Sequence, residues 1–193
     1  MWFGYPVAPM TDGPDHPLIV PLEPDGDERK LNIFRTLARN QPLYKGFLKL
    51  GGHLLTGGVL PAREREIVIL RIGWRAGSEY EFGQHTVIGK AAGLTDDEIA
   101  SLADCGPGEW SSDDHALVSM ADELCDGDAV GFETWTELSK RWNEAELLEL
   151  LVLAGYYRLV SGLLNSVGVA LEAGTPGWPS AAVPIRRAPR DRS

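Results

Sequence analysis

Residues 63–85 read REREIVILRIGWRAGSEYEFGQH, and the architecture of the chain can be worked out from this stretch. Apart from one arginine, residues 67–72 are apolar, so a helix here is apolar on nearly all sides and belongs at the centre of a bundle. Gly73 and Gly77 then permit a tight junction and close packing. A second helix that begins near Ser78 is therefore expected to pack against the first.

The helical pattern extends from about residue 28 to residue 171, and no run shows the alternation typical of strands. Helix starts are indicated by prolines in the first turn and by three capping pairs, which begin at Thr95, Thr134 and Asn143. The predicted helices span residues 28–40, 42–56, 61–76, 78–92, 95–103, 112–125, 132–141 and 144–171. The last helix repeats the order of residues 66–75, an acid followed by four apolar residues and later an arginine. The sequence thus predicts an all-α helical bundle with an internal helical repeat.

The composition fits one globular domain with two extensions. Residues 1–27 are rich in proline and glycine and predict an extended N-terminal arm that docks on the body or on a neighbouring subunit. Residues 28–173 form the predicted helical domain. Residues 174–193 contain glycines and prolines followed by arginines, which is typical of a flexible basic tail.

Charge and cysteine content exclude several classes of protein. The formal net charge of −10 repels phosphate backbones, so we expect no nucleic-acid partner. Two unpaired cysteines, Cys105 and Cys125, cannot build a disulfide framework or a four-ligand zinc site. The longest apolar segment, residues 147–171, is interrupted by polar residues and predicts a buried core helix with no membrane contact. Because no export signal is recognised either, we expect a cytoplasmic protein.

A candidate chemical site lies in the second predicted helix. Glu81 and His85 are four residues apart and share one helix face, and close packing of the preceding helix would bring Glu66 alongside. A carboxylate beside an imidazole raises the imidazole pKa and suits proton transfer near neutral pH. A structural alternative is a capping box from Ser78 to Glu81, in which both side chains bind backbone N–H groups. A metal site is disfavoured, because one histidine and two carboxylates lack the usual ligand spacing.

Further candidates could line a pocket. Trp74, Tyr80 and Tyr157 could face a substrate between the two halves of the bundle, although such residues are also common packing residues of helical cores. Arg71 could hold a substrate carboxylate, or it could pair with a nearby glutamate. Ser78 is a further candidate for substrate binding.

Four separated segments resemble the carboxymuconolactone decarboxylase family, whose fold is shared with alkylhydroperoxidase D. These segments are residues 31–37, 60–71, 79–85 and 91–99, and the resemblance covers about residues 28–171. It implies an all-α, alkylhydroperoxidase D-like fold. It also implies assembly into homo-oligomers, such as trimers, hexamers or dimers.

The peroxidase branch of this family carries a glutamate, a Cys-x-x-Cys pair and a histidine. Glu66 and His85 match this pattern, but the two cysteine positions hold Ser78 and Glu81. Thiol peroxidase chemistry needs a reactive thiolate, so the departure argues against it. The decarboxylase branch, as the resemblance implies, works without the cysteine pair and without a cofactor on small carboxylated lactones.

The sequence therefore predicts a cofactor-independent lyase, a decarboxylase or related acid–base enzyme, that acts on a small organic acid or lactone. His85 would act as hydrogen-bond donor or proton source, and Glu81 or Glu66 would orient it. The alternatives are a non-catalytic oligomeric binding or scaffold protein that keeps the fold and, least favoured, a hydroperoxidase that uses other thiols. Convergence of the three side chains on an enclosed cavity would favour the enzyme.

Overall fold

The computed structural model describes residues 31–104 and 110–179, and all regular structure in these ranges is helical. The predicted all-α fold is therefore confirmed. The helices are α1 (Asn32–Leu37), α2 (Gln41–Gly52), a π-helical turn (His53–Gly57), α3 (Ala62–Arg75), α4 (Glu79–Ala91), α5 (Asp96–Leu102), α6 (Ser112–Gly127), α7 (Phe132–Arg141) and α8 (Glu144–Val167).

Most helix boundaries follow from local signals. Thr95 and Asn143 each form the predicted capping box, with Glu98 and Glu146 respectively, at the starts of α5 and α8. The predicted cap at Thr134 is wrong, because Thr134 lies inside α7 and its hydroxyl donates to a carboxylate of α6.

The helix boundaries that differ most from the predicted ones are those of α1 and α8. Helix α8 stops at residue 167, four residues earlier than predicted, because Gly168 adopts a left-handed conformation with φ of 70° and caps it. Helix α1 covers only six residues, and the predicted positions 28–30 lie outside the described residues.

Helix α3 is the centre of the bundle and packs against α4, α6 and α8. Its side chains at residues 67–70 and at Ile72 are completely buried, as its apolar pattern predicts. Burial of each such side chain contributes about 1.5–3 kcal/mol, so α3 supplies much of the hydrophobic stabilisation. This rigid centre fixes the direction in which α4 and α8 present their side chains.

Helix α8 was expected to be a buried core helix, but one of its faces is exposed to solvent. Leu148, Val152 and Leu159 are 65%, 48% and 59% exposed, so they form an apolar outer strip on the helix. Among the described helices, α8 is long and apolar enough to cross a bilayer, but half of its most apolar stretch is buried in the bundle. A core helix passes the same length test, so this is weak support for a membrane span.

After α8 the chain returns along α4 as a C-terminal strap, residues 168–179. The Glu172 carboxylate accepts hydrogen bonds from the backbone N–H of Asn32 at 2.6 Å, the hydroxyl of Tyr80 at 2.8 Å and the amide of Gln84. Trp178 packs against aromatic rings of α3 and α4. Residues 174–179 of the predicted tail therefore pack on the domain, whereas the arm and residues 180–193 lie outside the described residues.

Candidate active site

A cavity of about 190 Å³ lies between α1, α2, α4 and α8. Its walls are mostly aliphatic and aromatic side chains, including Phe34, Phe47 and Val160. Polar groups enter it from α4, where Glu81, Gln84 and His85 border it. An apolar cavity with a few convergent polar groups is the usual form of a small-molecule site.

Two helices bring three titratable side chains together beside this cavity. The short turn between α3 and α4 contains Gly77 at φ of 62°, a conformation that favours glycine, and it folds α4 back onto α3. Nδ1 of His85 lies 2.6 Å from Oε2 of Glu66, and Nε2 of His85 lies 3.0 Å from Oε1 of Glu81. The predicted convergence of Glu66, Glu81 and His85 is therefore present in the structure.

A fourth charge extends this cluster away from the cavity. The Nε of Arg65 donates to Oε1 of Glu66 at 3.1 Å. The four side chains thus form a row of alternating charge, Arg65, Glu66, His85 and Glu81, which we call the charge row. Glu66 is completely buried, so its ion pairs act in a medium of low polarisability and are stronger than they would be in water.

The charge row raises the pKa of His85. Burial alone lowers this pKa, but the negative charge of Glu66 and its hydrogen bond, together with the contact of Glu81, outweigh burial and raise the pKa to about 9. His85 is therefore an imidazolium at neutral pH. Its ring also meets the ring of Tyr157 edge to face at 5.0 Å, which restrains its orientation.

The capping-box alternative is not what the structure contains. Ser78 is the N-cap of α4, but its side chain makes no cap hydrogen bond, and its hydroxyl is buried without a partner in the described part of the chain. Glu81 turns toward His85 and leaves the helix N-terminus uncapped. At the start of α4, Glu81 therefore forms the buried ion pair with His85 instead of a capping hydrogen bond.

The paired geometry changes the roles expected of the site residues. Both ring nitrogens of His85 face carboxylates, so neither is directed at the cavity as a proton source for a substrate. Glu81 is the carboxylate of the charge row that borders the cavity. The structure therefore places Glu81 and His85 side by side at the cavity wall, with both ring nitrogens of His85 engaged by carboxylates.

Three tyrosines line the cavity, and the hydroxyls of two of them donate hydrogen bonds within the protein. The Tyr80 hydroxyl donates to Glu172, and the Tyr156 hydroxyl donates to the carbonyl of Phe47 at 3.1 Å. The Tyr157 hydroxyl has no hydrogen-bond partner within the described residues. Burial raises the pKa of Tyr157 well above its usual range, so this hydroxyl stays protonated and can donate.

Other predicted residues are placed away from the cavity. Arg71 donates from Nε to Asp122 at 2.7 Å and from Nη1 to Asp104 at 2.8 Å, and these ion pairs replace the expected glutamate or substrate partners. The indole N–H of Trp74 donates to Asp104 at 2.7 Å. Ser78, Trp74 and Arg71 do not line the cavity, whereas Tyr80 and Tyr157 do.

Sequence reasoning missed the contributions of α2 and of the C-terminal strap. Phe47, Gly51 and Leu55 line the cavity at helical spacing, and this regular spacing was a usable signal. Glu172 positions α1 and α4 through its three hydrogen bonds. No local pattern marks Glu172, because its partners lie far away in the sequence.

Neither a metal site nor a thiol joins this cavity in the described structure. Residues 31–104 and 110–179 contain no group of histidine, cysteine and acidic side chains arranged to hold a metal ion. Cys125 lies on α6, half-buried, and burial raises the pKa of its thiol. Such a thiol is mostly protonated at neutral pH and is a poor nucleophile. Cys105 lies outside the described residues.

Comparisons with known proteins agree with this fold. A peroxidase-related protein from Silicibacter sp. TM1040 has a TM-score of 0.68 at 14% identity, and the match covers 85% of this chain and 93% of that one. An Agrobacterium tumefaciens protein, proposed to be the antioxidant defence protein AhpD, has a TM-score of 0.64 at 13% identity, covering 70% and 94%. The debrominase Bmp8, in complex with 2,3,4-tribromopyrrole, has a TM-score of 0.64 at 13% identity, covering 72% and 76%.

At such low identities these structures establish the fold alone. No curated protein sequence matches the chain. The fold is AhpD-like, and it places a buried cluster of one histidine and two glutamates beside a cavity. Residues 41–105 match the carboxymuconolactone decarboxylase family, and this segment contains Glu66, Glu81 and His85. The match covers about a third of the chain, so over this segment the chain is similar to that family.

Proposed function

We propose that the chain is a cofactor-independent enzyme that transfers a proton to or from a small organic substrate in the cavity. The observation that carries this proposal is the charge row, which ends at the cavity in the carboxylate of Glu81. Decarboxylation, elimination and isomerisation all include such a proton transfer at carbon. The reaction thus belongs to the lyase or isomerase type.

In this mechanism Glu81 is the catalytic base. One oxygen of Glu81 faces the His85 imidazolium, and the second oxygen is available to take a proton from a carbon next to a substrate carbonyl. The electron pair of the broken C–H bond moves onto the carbonyl oxygen and forms an enolate. Glu81 then returns the proton at another position, or a leaving group departs from the neighbouring carbon.

The remaining residues of the site would stabilise the enolate and hold Glu81 in position. Tyr157 borders the cavity with a protonated hydroxyl, and it would donate a hydrogen bond to the enolate oxygen. His85 holds Glu81 in place, and Glu66 in turn orients His85. Apolar walls exclude water, so these preorganised charges act more strongly on the substrate than they would in solution.

Exchange of carbon-bound hydrogen in D₂O tests this function. Small lactones, ketones and enones are incubated with the protein, and NMR follows the replacement of C–H by C–D next to the carbonyl. We expect Glu81→Gln to slow the exchange by about 10²–10⁴-fold, the usual contribution of a general base. Glu79→Gln is the matched control, because Glu79 lies in the same helix turn but is exposed, and it accepts a hydrogen bond from the backbone N–H of Trp178 in the strap.

Two results would contradict the proposal. Exchange that continues unchanged in Glu81→Gln would show that another group moves the proton. Probes that bind in the cavity without any exchange would favour the alternative of a non-catalytic binding protein.

We also propose that the chain assembles into a homo-oligomer and acts in the cytoplasm. The outer strip of α8, Leu148, Val152 and Leu159, supports self-association, because three large apolar side chains on one exposed helix face favour burial. The net charge of −10 supports the expectation that neither nucleic acid nor anionic membrane is a partner.

A further inference from the structure

The cavity wall, as far as the structure describes it, has no lysine or arginine that could hold an anion. Among its sixteen lining residues in the described structure, none is lysine or arginine, and the only charged groups are Glu81 and His85. Arg71, which a substrate carboxylate could have used, is already paired with Asp122 and Asp104. Within residues 31–104 and 110–179, a negatively charged ligand therefore meets no lysine or arginine on the cavity wall.

The imidazolium of His85 does not supply this missing cation. Glu66 and Glu81 occupy both of its ring nitrogens, so its positive charge is offset on two sides. Arg65 is bound to the far side of Glu66 and does not line the cavity. Of the two charged groups on the described cavity wall, the carboxylate of Glu81 repels anions.

The apolar walls add a second cost for any ionic ligand. An ion that leaves water for such a cavity loses most of its hydration and regains few hydrogen bonds from the described cavity wall, such as that of the Tyr157 hydroxyl. Phe34, Phe47 and Tyr156 supply aromatic surface, and the exposed Leu48 and Ile88 mark an apolar mouth. The volume of about 190 Å³ is somewhat larger than the ~150 Å³ of an apolar cavity that holds benzene.

We propose that the substrate is an uncharged molecule of about one ring, largely apolar, with one hydrogen-bond donor or acidic C–H directed at Glu81. This inference rests on the proposed function for the site, but it concerns only which ligand enters. An uncharged substrate carries no carboxylate that could be lost as CO₂. The reaction would then be an elimination or an isomerisation.

Three para-substituted phenols of similar size test the charge preference by calorimetry at neutral pH. Para-cresol is uncharged, para-hydroxybenzoate is an anion and para-hydroxybenzylamine is a cation. We expect para-cresol to bind at least about tenfold more tightly than either ion, because both ions lose hydration in the apolar cavity, and the carboxylate of Glu81 that could attract the ammonium is already paired with His85. In Glu81→Gln the disadvantage of the anion should shrink, because the repelling charge is gone.

A pair of glycine variants locates the binding. Gly52 lines the cavity and Gly46 does not, and both lie in α2 at positions where an added Cβ would meet open space. Gly52→Leu should narrow the cavity mouth and weaken para-cresol binding. Gly46→Leu, which makes the same exchange in the same helix, should leave it unchanged.

Several outcomes would overturn the inference. One is that para-hydroxybenzoate or para-hydroxybenzylamine binds as tightly as para-cresol. Another is that para-cresol fails to bind at millimolar concentration. A third is that Gly52→Leu and Gly46→Leu change the affinity for para-cresol equally. The binding experiment can fail independently of the hydrogen-exchange experiment that tests the proposed function, because it measures binding without turnover. Loss of the charge preference with retained, Glu81-dependent exchange would refute the inference alone.

Discussion

The pH dependence of stability gives a quantitative test of the charge row. The pKa of His85 is raised from 6.5 to about 9 in the folded protein. Since one pKa unit corresponds to 1.36 kcal/mol, the shift corresponds to about 3 kcal/mol of stabilisation. The charged ring contributes this amount fully below pH ~6.5, and the contribution is lost as the pH rises through about 9.

Glu66→Gln removes the largest favourable influence on this pKa. The neutral amide can still accept a hydrogen bond, but the attraction between opposite charges is gone, so the folded-state pKa should fall toward or below 6.5. The free energy of unfolding of the wild type should therefore drop by roughly 3 kcal/mol between about pH 6 and about pH 10, relative to that of the variant.

Urea unfolding at a series of pH values measures this difference. Groups that titrate in both proteins cancel when the variant is subtracted from the wild type. Glu79→Gln is the control, because this exposed residue of α4 is outside the charge row, and its pH profile should follow the wild type. Parallel profiles of wild type and Glu66→Gln would refute the reasoning.

Three further predictions concern assembly, thiols and the strap. Val152→Glu should lower the oligomer mass in light scattering, because it places a charge on the outer strip; an unchanged mass would speak against that interface. Cys125→Ser together with Cys105→Ser should not alter reductant-coupled turnover of cumene hydroperoxide, and a loss of turnover would indicate thiol chemistry. Glu172→Ala should lower the free energy of unfolding by about 1–2 kcal/mol in urea titrations, since three hydrogen bonds are lost; no change would mean that the strap does not hold α1 and α4.

Much of the fold was accessible from the sequence because its signals are local. The apolar pattern of residues 67–72 identified the central helix, and the four-residue spacing of Glu81 and His85 placed both on one face of α4. Gly77 predicted a tight junction, and its positive φ agrees with that expectation. The close approach of Glu66 follows from this junction.

The remaining features depend on contacts between distant residues. Arg71 finds its partners on α6 and after α5, at Asp122 and Asp104, which no periodicity relates to α3. The capping pattern at Ser78 was a genuine local signal, but the buried ion pair with His85 engages Glu81 more strongly. Sequence spacing alone does not show whether Glu81 caps the helix or pairs with His85.

The most direct test of the charge row as an acid–base site is the ¹⁵N NMR spectrum of the His85 ring. The geometry predicts an imidazolium with both nitrogens protonated at neutral pH and a titration midpoint near 9. The midpoint should fall in Glu81→Gln and fall further in Glu66→Gln, because Glu66 has the larger influence. A neutral ring at neutral pH, or a midpoint that neither substitution moves, would contradict the account.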